Sequence, residues 1–565
     1  MNGKARPPAI EWRPWGLDTM AEAGGSGRPV LVRLEGFGSR EARRQREEGD
    51  ADGEVIAAAA AGFVALIADG DRDPEVALHL GGRRTPVTAV LDETGAVRAS
   101  VEGAIGPEAF LRLLEQSAHP RGGPDRGPAL ARTGRPVAPD LKALAEALLA
   151  PYDWRNHGFG TAPKEPSGEA LETALAVGRR VGTPFAGKAA LLSLSALPKT
   201  EAFDAVEGGF FRECAGERWQ EPSFEKRLDV NAALLSAYAS AFAATGGAEH
   251  RRVALETAAY VDRGLSTSEG HLWSPSQAAD EEYYAKMAHR RAIHGAPPVD
   301  PTVCVEACAS AASAFARAGL CLEEPRLVAR AQIALDELFE AGALQGDRAF
   351  HYRAEGAWRG GRWLPDHTEL GRAALEVYCA TGRAAWLERA AAMARALLPA
   401  FGDPEGAGLF SLRDTARAPG ALASLKSPAH TARASLFLQR VGECLGDARL
   451  IEEGRRLAEE APAALPHSMP ADAPLVGALL SVTAGVVVIE GPDPKGALPA
   501  AKLTRAALAL ALPLGAFTLG GAPHKERNEG DAVAFRVRGR RSEPVGDAAG
   551  LTGALASVTR LCEVP

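Results

Sequence analysis

The residues best equipped for chemistry lie between Arg212 and Asn231. Arg212, Trp219, Phe224, Glu225, Lys226, Asp229 and Asn231 bring carboxylates, cations, an amide and aromatic rings into one short stretch. Glu225 and Asp229 stand four apart, a spacing that puts both carboxylates on one face of a helix. Sugars are held by aromatic platforms together with carboxylate, guanidinium and amide partners. Trp219 beside this face therefore reads as a carbohydrate patch. Glu225 and Asp229 are its candidate catalytic groups, and Arg212, Phe224, Lys226 and Asn231 its candidate binding groups. A competing reading pairs Glu225 with Lys226 or Arg212 and uses Asp229 to cap a neighbouring turn, since scaffold ion pairs use the same residue types.

A second cluster is Pro365-Asp366-His367-Thr368-Glu369. Asp366 suits a helix N-cap, with Glu369 at capping-box spacing. Asp366 and His367 are further catalytic candidates. Glu269, in Glu269-Gly270-His271-Leu272-Trp273, and His430, in Ser427-Pro428-Ala429-His430-Thr431, are binding candidates. Any single histidine is more often a hydrogen-bonded structural residue than a base. Inverting glycoside hydrolysis needs two carboxyls facing each other across a pocket, and Glu225, Asp229, Glu269, Asp300, Glu306 and Asp366 supply candidates. The sequence has no phosphate loop, dinucleotide fingerprint or metal-ligand cluster, so no cofactor is expected.

The elements that must position these groups fall into three parts. In the first, a helix starts near Leu17 and a strand covers 28–34. A helix at 54–61 leads into a buried-type strand at 63–68. Another strand at 85–91 ends in the turn Asp92-Glu93-Thr94-Gly95, and a last helix covers 107–116. This order predicts an α/β domain with a mixed sheet. Residues 119–137, rich in Gly, Pro and Arg, read as a linker. Beyond them helical hairpins repeat, with turns at Gly246, Gly319, Gly382 and Gly446; the spacings are 319−246 = 73, 382−319 = 63 and 446−382 = 64. A lone hairpin cannot bury its apolar stripe, so the copies must stack. The loops after them share glycine followed by an aromatic residue, as in Gly208-Gly209-Phe210-Phe211. Periodicity allows either a closed ring or an open solenoid. In the last part, 485–492 reads as a β-branched strand, with further strands near 516–519 and 532–537.

Two segments carry a resemblance. Gly158-Phe159-Gly160-Thr161-Ala162-Pro163-Lys164 is the first. The second runs from Gly208-Gly209-Phe210-Phe211-Arg212 through Trp219 to Pro222-Ser223-Phe224-Glu225-Lys226-Arg227-Leu228-Asp229-Val230-Asn231. Together they resemble the spermatogenesis-associated thioredoxin-domain family, in which a thioredoxin-like domain is fused to a toroid like that of N-acylglucosamine 2-epimerases and six-hairpin glycosidases. The resemblance implies a mainly α chain: a thioredoxin-like domain at 1–118, the linker, an (α/α)6 toroid at 138–470, and closure plus a small α/β appendage at 471–565. It also implies a carbohydrate-acting pocket at the ring centre, of isomerase, epimerase or glycoside-hydrolase kind. The alternative is an inactive binding or scaffold descendant. This chain departs from the family at Ser223, where His is usual, and at Glu306-Ala307, where Trp-Asn is usual. The dithiol slot of the thioredoxin-like domain falls on Ser39-Arg40-Glu41-Ala42. Thiol exchange needs a thiolate, so oxidoreductase chemistry is excluded there. Thr85-Pro86 would occupy the cis-proline position.

Composition narrows the partners. The net charge is −8, with 46% hydrophobic and 24% charged residues, and no basic face of the kind that binds nucleic acid. The apolar stretches at 475–489 and 506–520 are too short to span a bilayer. The N-terminus lacks a signal-peptide core. Seven cysteines without a CxxC pair suggest a reducing compartment, the cytoplasm. The expected partner is a small carbohydrate, with neither nucleic acid nor membrane.

Overall fold

The computed structural model describes residues 9–81, 85–118, 146–180, 184–267, 271–404, 406–413, 422, 425–460, 473–490, 507, 516–518, 533–537 and 540–559. The expected linker at 119–137 and Glu269 lie outside them.

The N-terminal module is a five-stranded mixed sheet. β1 (Arg13–Pro14), β2 (Val30–Glu35) and β3 (Val64–Asp69) run parallel, while β4 (Val87–Leu91) and β5 (Val97–Glu102) run antiparallel, in the order β1-β3-β2-β4-β5. β2 is buried along its whole length, as a central strand covered on both faces must be. α1 (Leu17–Gly25) and α4 (Pro74–Leu80) cover one face with Met20 and Val76. α3 (Gly53–Gly62) and α5 (Pro107–Ala118) cover the other with Val55 and Phe110. The cysteine-less slot opens a short helix, α2 (Arg40–Arg44), whose N-cap Ser39 accepts from the Ala42 amide. The Thr85-Pro86 peptide is cis.

The body is a ring of helical hairpins. Inner helices α6 (Gly168–Arg180), α8 (Leu228–Thr245), α10 (Val305–Cys321), α12 (Leu364–Thr381), α14 (Pro428–Leu445) and α16 (Ala473–Ala484) pack in succession, and α16 closes on α6. Outer helices α7 (Pro184–Ala196), α9 (Ala248–Gly264), α11 (Pro325–Glu340), α13 (Ala384–Phe401) and α15 (Ala448–Glu460) back the first five. Closure settles the choice that periodicity left open: this is a toroid, not an open solenoid.

The inner helices are buried nearly all round, as α8 shows from Leu228 to Ala243. Their Ala- and Ser-rich sequences let neighbours approach closely. Gly246, Gly382 and Gly446 end their helices in the left-handed conformation, the usual role of a C-cap glycine. Gly319 differs from the expected turn, because α10 continues past it to Cys321. A Cβ at Gly319 would sit 2.9 Å from the Val328 amide nitrogen, so this glycine admits α11 at close range rather than stopping α10.

The glycine–aromatic loops each tuck a side chain under the rim. Phe210, Trp273 and Leu409 are fully buried, and antiparallel bridges tie them to Phe203, Ser266 and Gly402. At the end of the chain, strands Val488–Glu490, Ala516–Thr518, Ala534–Val537 and Arg540–Arg541 form a small mixed sheet. It packs on α12 and α14. No described helix is long and apolar enough to cross a membrane.

Candidate functional site

The ring encloses a cavity of about 660 Å³, within the range of small-molecule sites. Its wall is built from the inner helices, and successive turns of one helix place charges at successive depths. The N-terminal module supplies part of the mouth through Gly70, Asp71 and Pro74.

At the mouth, Arg227 grips Asp71 with both terminal nitrogens, at 2.7 and 3.2 Å, and its Nε reaches Asp229 at 3.1 Å. Glu306 begins α10 and is half-buried in the cavity wall. Its amide donates to Asp366 Oδ1 at 3.0 Å, and its Oε2 accepts from Trp363 Nε1 at 3.3 Å. Burial, with the neighbouring Asp366, pushes the Glu306 carboxyl up to about 7. A group at that value exchanges its proton near neutral pH.

Asp366 is wholly buried and meets His351 Nδ1 at 2.9 Å; His351 Nε2 meets the backbone oxygen of Asp71 at 3.0 Å. Burial alone would lower the His351 ring. The carboxylates of Asp366, Glu306 and Glu75 outweigh it and lift the ring to about 9, so the imidazolium donates from both nitrogens.

One turn deeper, Arg433 holds Glu169 with contacts of 2.6 and 3.1 Å. Burial works against ionisation of Glu169, but Arg433 prevails and holds its carboxyl below the usual range. Arg372 bonds Glu369 and reaches Ser310 at 3.1 Å. At the floor, Arg317 spans Glu172 (2.8 Å) and Glu376 (2.5 Å), and Arg440 bonds Glu376 at 2.7 Å. Ser236 and Ser240 donate to Glu172.

The residues singled out from sequence are distributed differently. Asp229 lines the cavity. Glu225 does not share a helix face with it. Arg227 is extended and pairs with Ser276, so α8 begins only at Leu228. Glu225 precedes the helix, buried under Arg212 at 2.8 Å. Lys226 is fully buried, bonded to Asp204 at 2.8 Å and set over the Tyr260 ring at 4.0 Å; burial lowers its ammonium to about 8 against the pull of Asp204. Asn231 clamps both the amide and the carbonyl of Phe210. Trp219 donates to the backbone oxygens of Asn156 and His157. Phe224 stacks on Tyr284. Apart from Asp229, these residues brace the rim rather than face the cavity.

Asp366 is not the N-cap expected. Trp363 holds that position, and Asp366 lies in the first turn, bound to His351. His367 points away, meeting the Asp347 carbonyl oxygen at 2.7 Å. His430 contacts Ser411 Oγ at 3.1 Å and meets Trp363 edge-on. Burial and Arg433 push its ring down to about 3, so it stays neutral. Sequence reasoning missed Glu169, Arg372, Arg433, Arg317 and Arg440. Their signal was there: charges at three-, four- and seven-residue spacing within helices otherwise made of small and apolar residues.

No protein-family model matches the chain. It is similar to spermatogenesis-associated protein 20 of Homo sapiens, 32% identical over 131 residues, and this match covers 22% of the chain and 17% of that protein. With the motifs above, the chain resembles a divergent member of that thioredoxin-domain family. Among solved structures it is similar to cellobiose 2-epimerase from Bacillus thermoamylovorans, at 11% identity and TM-score 0.45, covering 56% of this chain and 85% of that one. It is similar to a D-mannose isomerase, at 13% identity and TM-score 0.46, covering 60% and 96%. It is also similar to unsaturated glucuronyl hydrolase from Bacillus sp. GL1, at 15% identity and TM-score 0.43, covering 61% and 96%.

Proposed function

We propose that this chain is a carbohydrate-acting enzyme, of the isomerase, epimerase or glycoside-hydrolase kind, that works in the central cavity with Glu306 as its proton donor. The observation that carries the reading is the placement of Glu306. Its carboxyl lies in the cavity wall and accepts from Trp363, its backbone amide ties the residue to the Asp366–His351 pair, and burial raises the carboxyl to about 7. In the same cavity Glu169 is kept ionised by Arg433. Two carboxyls whose surroundings drive their proton affinities apart supply an acid and a fixed negative charge. The acid can protonate a leaving or carbonyl oxygen, and the charge can stabilise positive charge developing on the sugar. The cysteine-less module contributes to the cavity wall through Gly70, Asp71 and Pro74.

One observation favours the alternative of a binding protein without turnover. Phe437 is the sole Phe, Tyr or Trp among the described residues that line the cavity, and it is 1% exposed, so a stacking platform is missing. A thermal-shift screen with mono- and disaccharides, run on wild type and Glu306→Gln, tests the enzyme reading. It predicts a stabilising saccharide for both proteins, with consumption of that saccharide by wild type alone. A saccharide bound by both and consumed by neither would favour the binding protein. Absence of any stabilising saccharide would refute both.

A further inference from the structure

The mouth of the cavity is built from two units far apart in sequence. The turn after β3 crosses it and is rigid in itself. Asp69 Oδ1 accepts from the amides of Asp71 and Arg72, and the Gly70 amide donates to the Glu35 carbonyl. From the toroid, four groups hold this turn. Arg227 forks onto the Asp71 carboxylate. His351 and the Cys304 thiol both donate to the Asp71 carbonyl. Thr302 accepts from Arg72 at 2.7 Å. Nearby, a Cβ on Gly38 would lie 2.3 Å from that of Ala278, so the face carrying the empty dithiol slot is pressed against the toroid rim.

We propose that Asp71 is the specificity-determining residue of this cavity: by locking the Gly70–Pro74 turn across the mouth, it restricts the ligand to a short saccharide and excludes longer chains. The inference rests on the carbohydrate reading for its ligand class, while the lock itself is independent of it. The enclosed volume of about 660 Å³ fits a small ligand. Arg227 is the only toroid group that binds the Asp71 side chain among the described residues, so Asp71→Ala releases the carboxylate latch and leaves the turn held only by its backbone and Arg72 contacts, from which it opens more often. A charge-assisted, two-pronged contact is among the stronger hydrogen bonds.

Cys304 reports on the latch without any substrate. It lines the cavity directly beneath the Asp71 carbonyl and is 4% exposed. Cys308, bonded to the Trp273 carbonyl and buried in α10, serves as an internal control. The test is N-ethylmaleimide labelling of the full chain, read at Cys304 and Cys308 by peptide mass spectrometry. Thermal shifts with cellobiose against cellohexaose, and mannobiose against mannohexaose, run alongside. Asp71→Asn repeats every arm at constant side-chain size, so that a misfolded alanine variant does not end the test.

The proposal expects Cys304 labelling to rise roughly tenfold or more in the variants, with Cys308 unchanged. It also expects the hexasaccharides to shift the variants but not wild type. Equal Cys304 labelling in wild type and both variants would overturn it, as would a hexasaccharide that stabilises wild type as well as its disaccharide does. Faster Cys304 labelling with no response to any saccharide would overturn the carbohydrate reading and the ligand restriction with it, while the lock would stand.

Discussion

Substituting Glu376 by Gln should loosen the floor of the cavity, and the structure sets the size of the effect. Glu376 is 3% exposed, and one of its oxygens accepts from both Arg317 and Arg440. It thus joins α10, α12 and α14. Burial works against its charge, but Arg317 and then Arg440 prevail and hold the carboxyl at about 2 rather than 4.5. That difference corresponds to about 3 kcal/mol of stability. The folded value is depressed, so this stability is present above pH 4.5 and is lost as pH falls toward 2. Glutamine would leave the buried Arg440 guanidinium without a counter-charge and Arg317 with Glu172 alone, and breaking a buried pair in this way costs roughly 3–5 kcal/mol. The melting entropy of a ring of roughly 300 residues is about 0.6 kcal/mol per kelvin, so Tm should fall by roughly 5–8 °C. Differential scanning calorimetry at pH 7 measures this directly, using the toroid transition. Replacing the whole network, as Glu172→Gln, Arg317→Met, Glu376→Leu and Arg440→Met together, should cost less than the single change, because no charge is left unpaired. A single-variant shift below about 1 °C at pH 7 would refute the reasoning, as would a quadruple variant less stable than the single one.

Two other perturbations test the mouth and the rim. His351 is lifted to about 9, so its contribution is complete below the unfolded value near 6.5 and is lost as pH rises through 9. The wild-type Tm should therefore decline between pH 7 and 9.5 more steeply than that of His351→Gln, and parallel curves would contradict the bridge to Asp71. Gly209 has φ of +78°, and a Cβ there would meet the Tyr260 ring at 2.4 Å. Gly209→Ala should therefore lower stability by about 2 kcal/mol or more, since it adds both backbone strain and overpacking; an unchanged Tm would count against this account of the glycine–aromatic loop.

Local patterns carried much of the architecture. Gly246, Gly382 and Gly446 could be read as stops because a left-handed cap is a local demand that glycine meets. Gly319 is no such stop, and a helix-interior glycine admitting a neighbouring helix looks the same in sequence as a cap. The short apolar runs at β2 and β3 were legible for the same local reason: a strand covered on both faces needs continuous apolar residues. The site was far less legible. Glu225 and Asp229 have helical spacing, but strand pairing of Arg227 with Ser276 delays the helix start, and no local signal announces that pairing.

The cavity charges hid for a different reason. Glu169 and Arg433 have helical spacing to Glu172 and Arg440, but charges so spaced also mark a solvated face, and only closure of α16 on α6 turns Glu169 and Arg433 toward each other. The mouth was beyond reach altogether, because Asp71 meets residues 156 and 280 positions away. Glu306 stood out in sequence as a departure from the family pattern. Its carboxyl lies in the cavity wall, where burial and Asp366 raise its proton affinity.

The central claim is that Glu306 delivers a proton to a sugar. It is tested most directly by following the anomeric signals of a mono- and disaccharide panel by proton NMR, for wild type and Glu306→Gln, across pH 5.5 to 8.5. The account predicts that wild type converts at least one saccharide, with a rate that falls as pH rises through about 7, where Glu306 loses its proton. It predicts a loss of roughly 100-fold or more in Glu306→Gln. Conversion by Glu306→Gln at the wild-type rate, or no conversion of any saccharide by wild type, would contradict it.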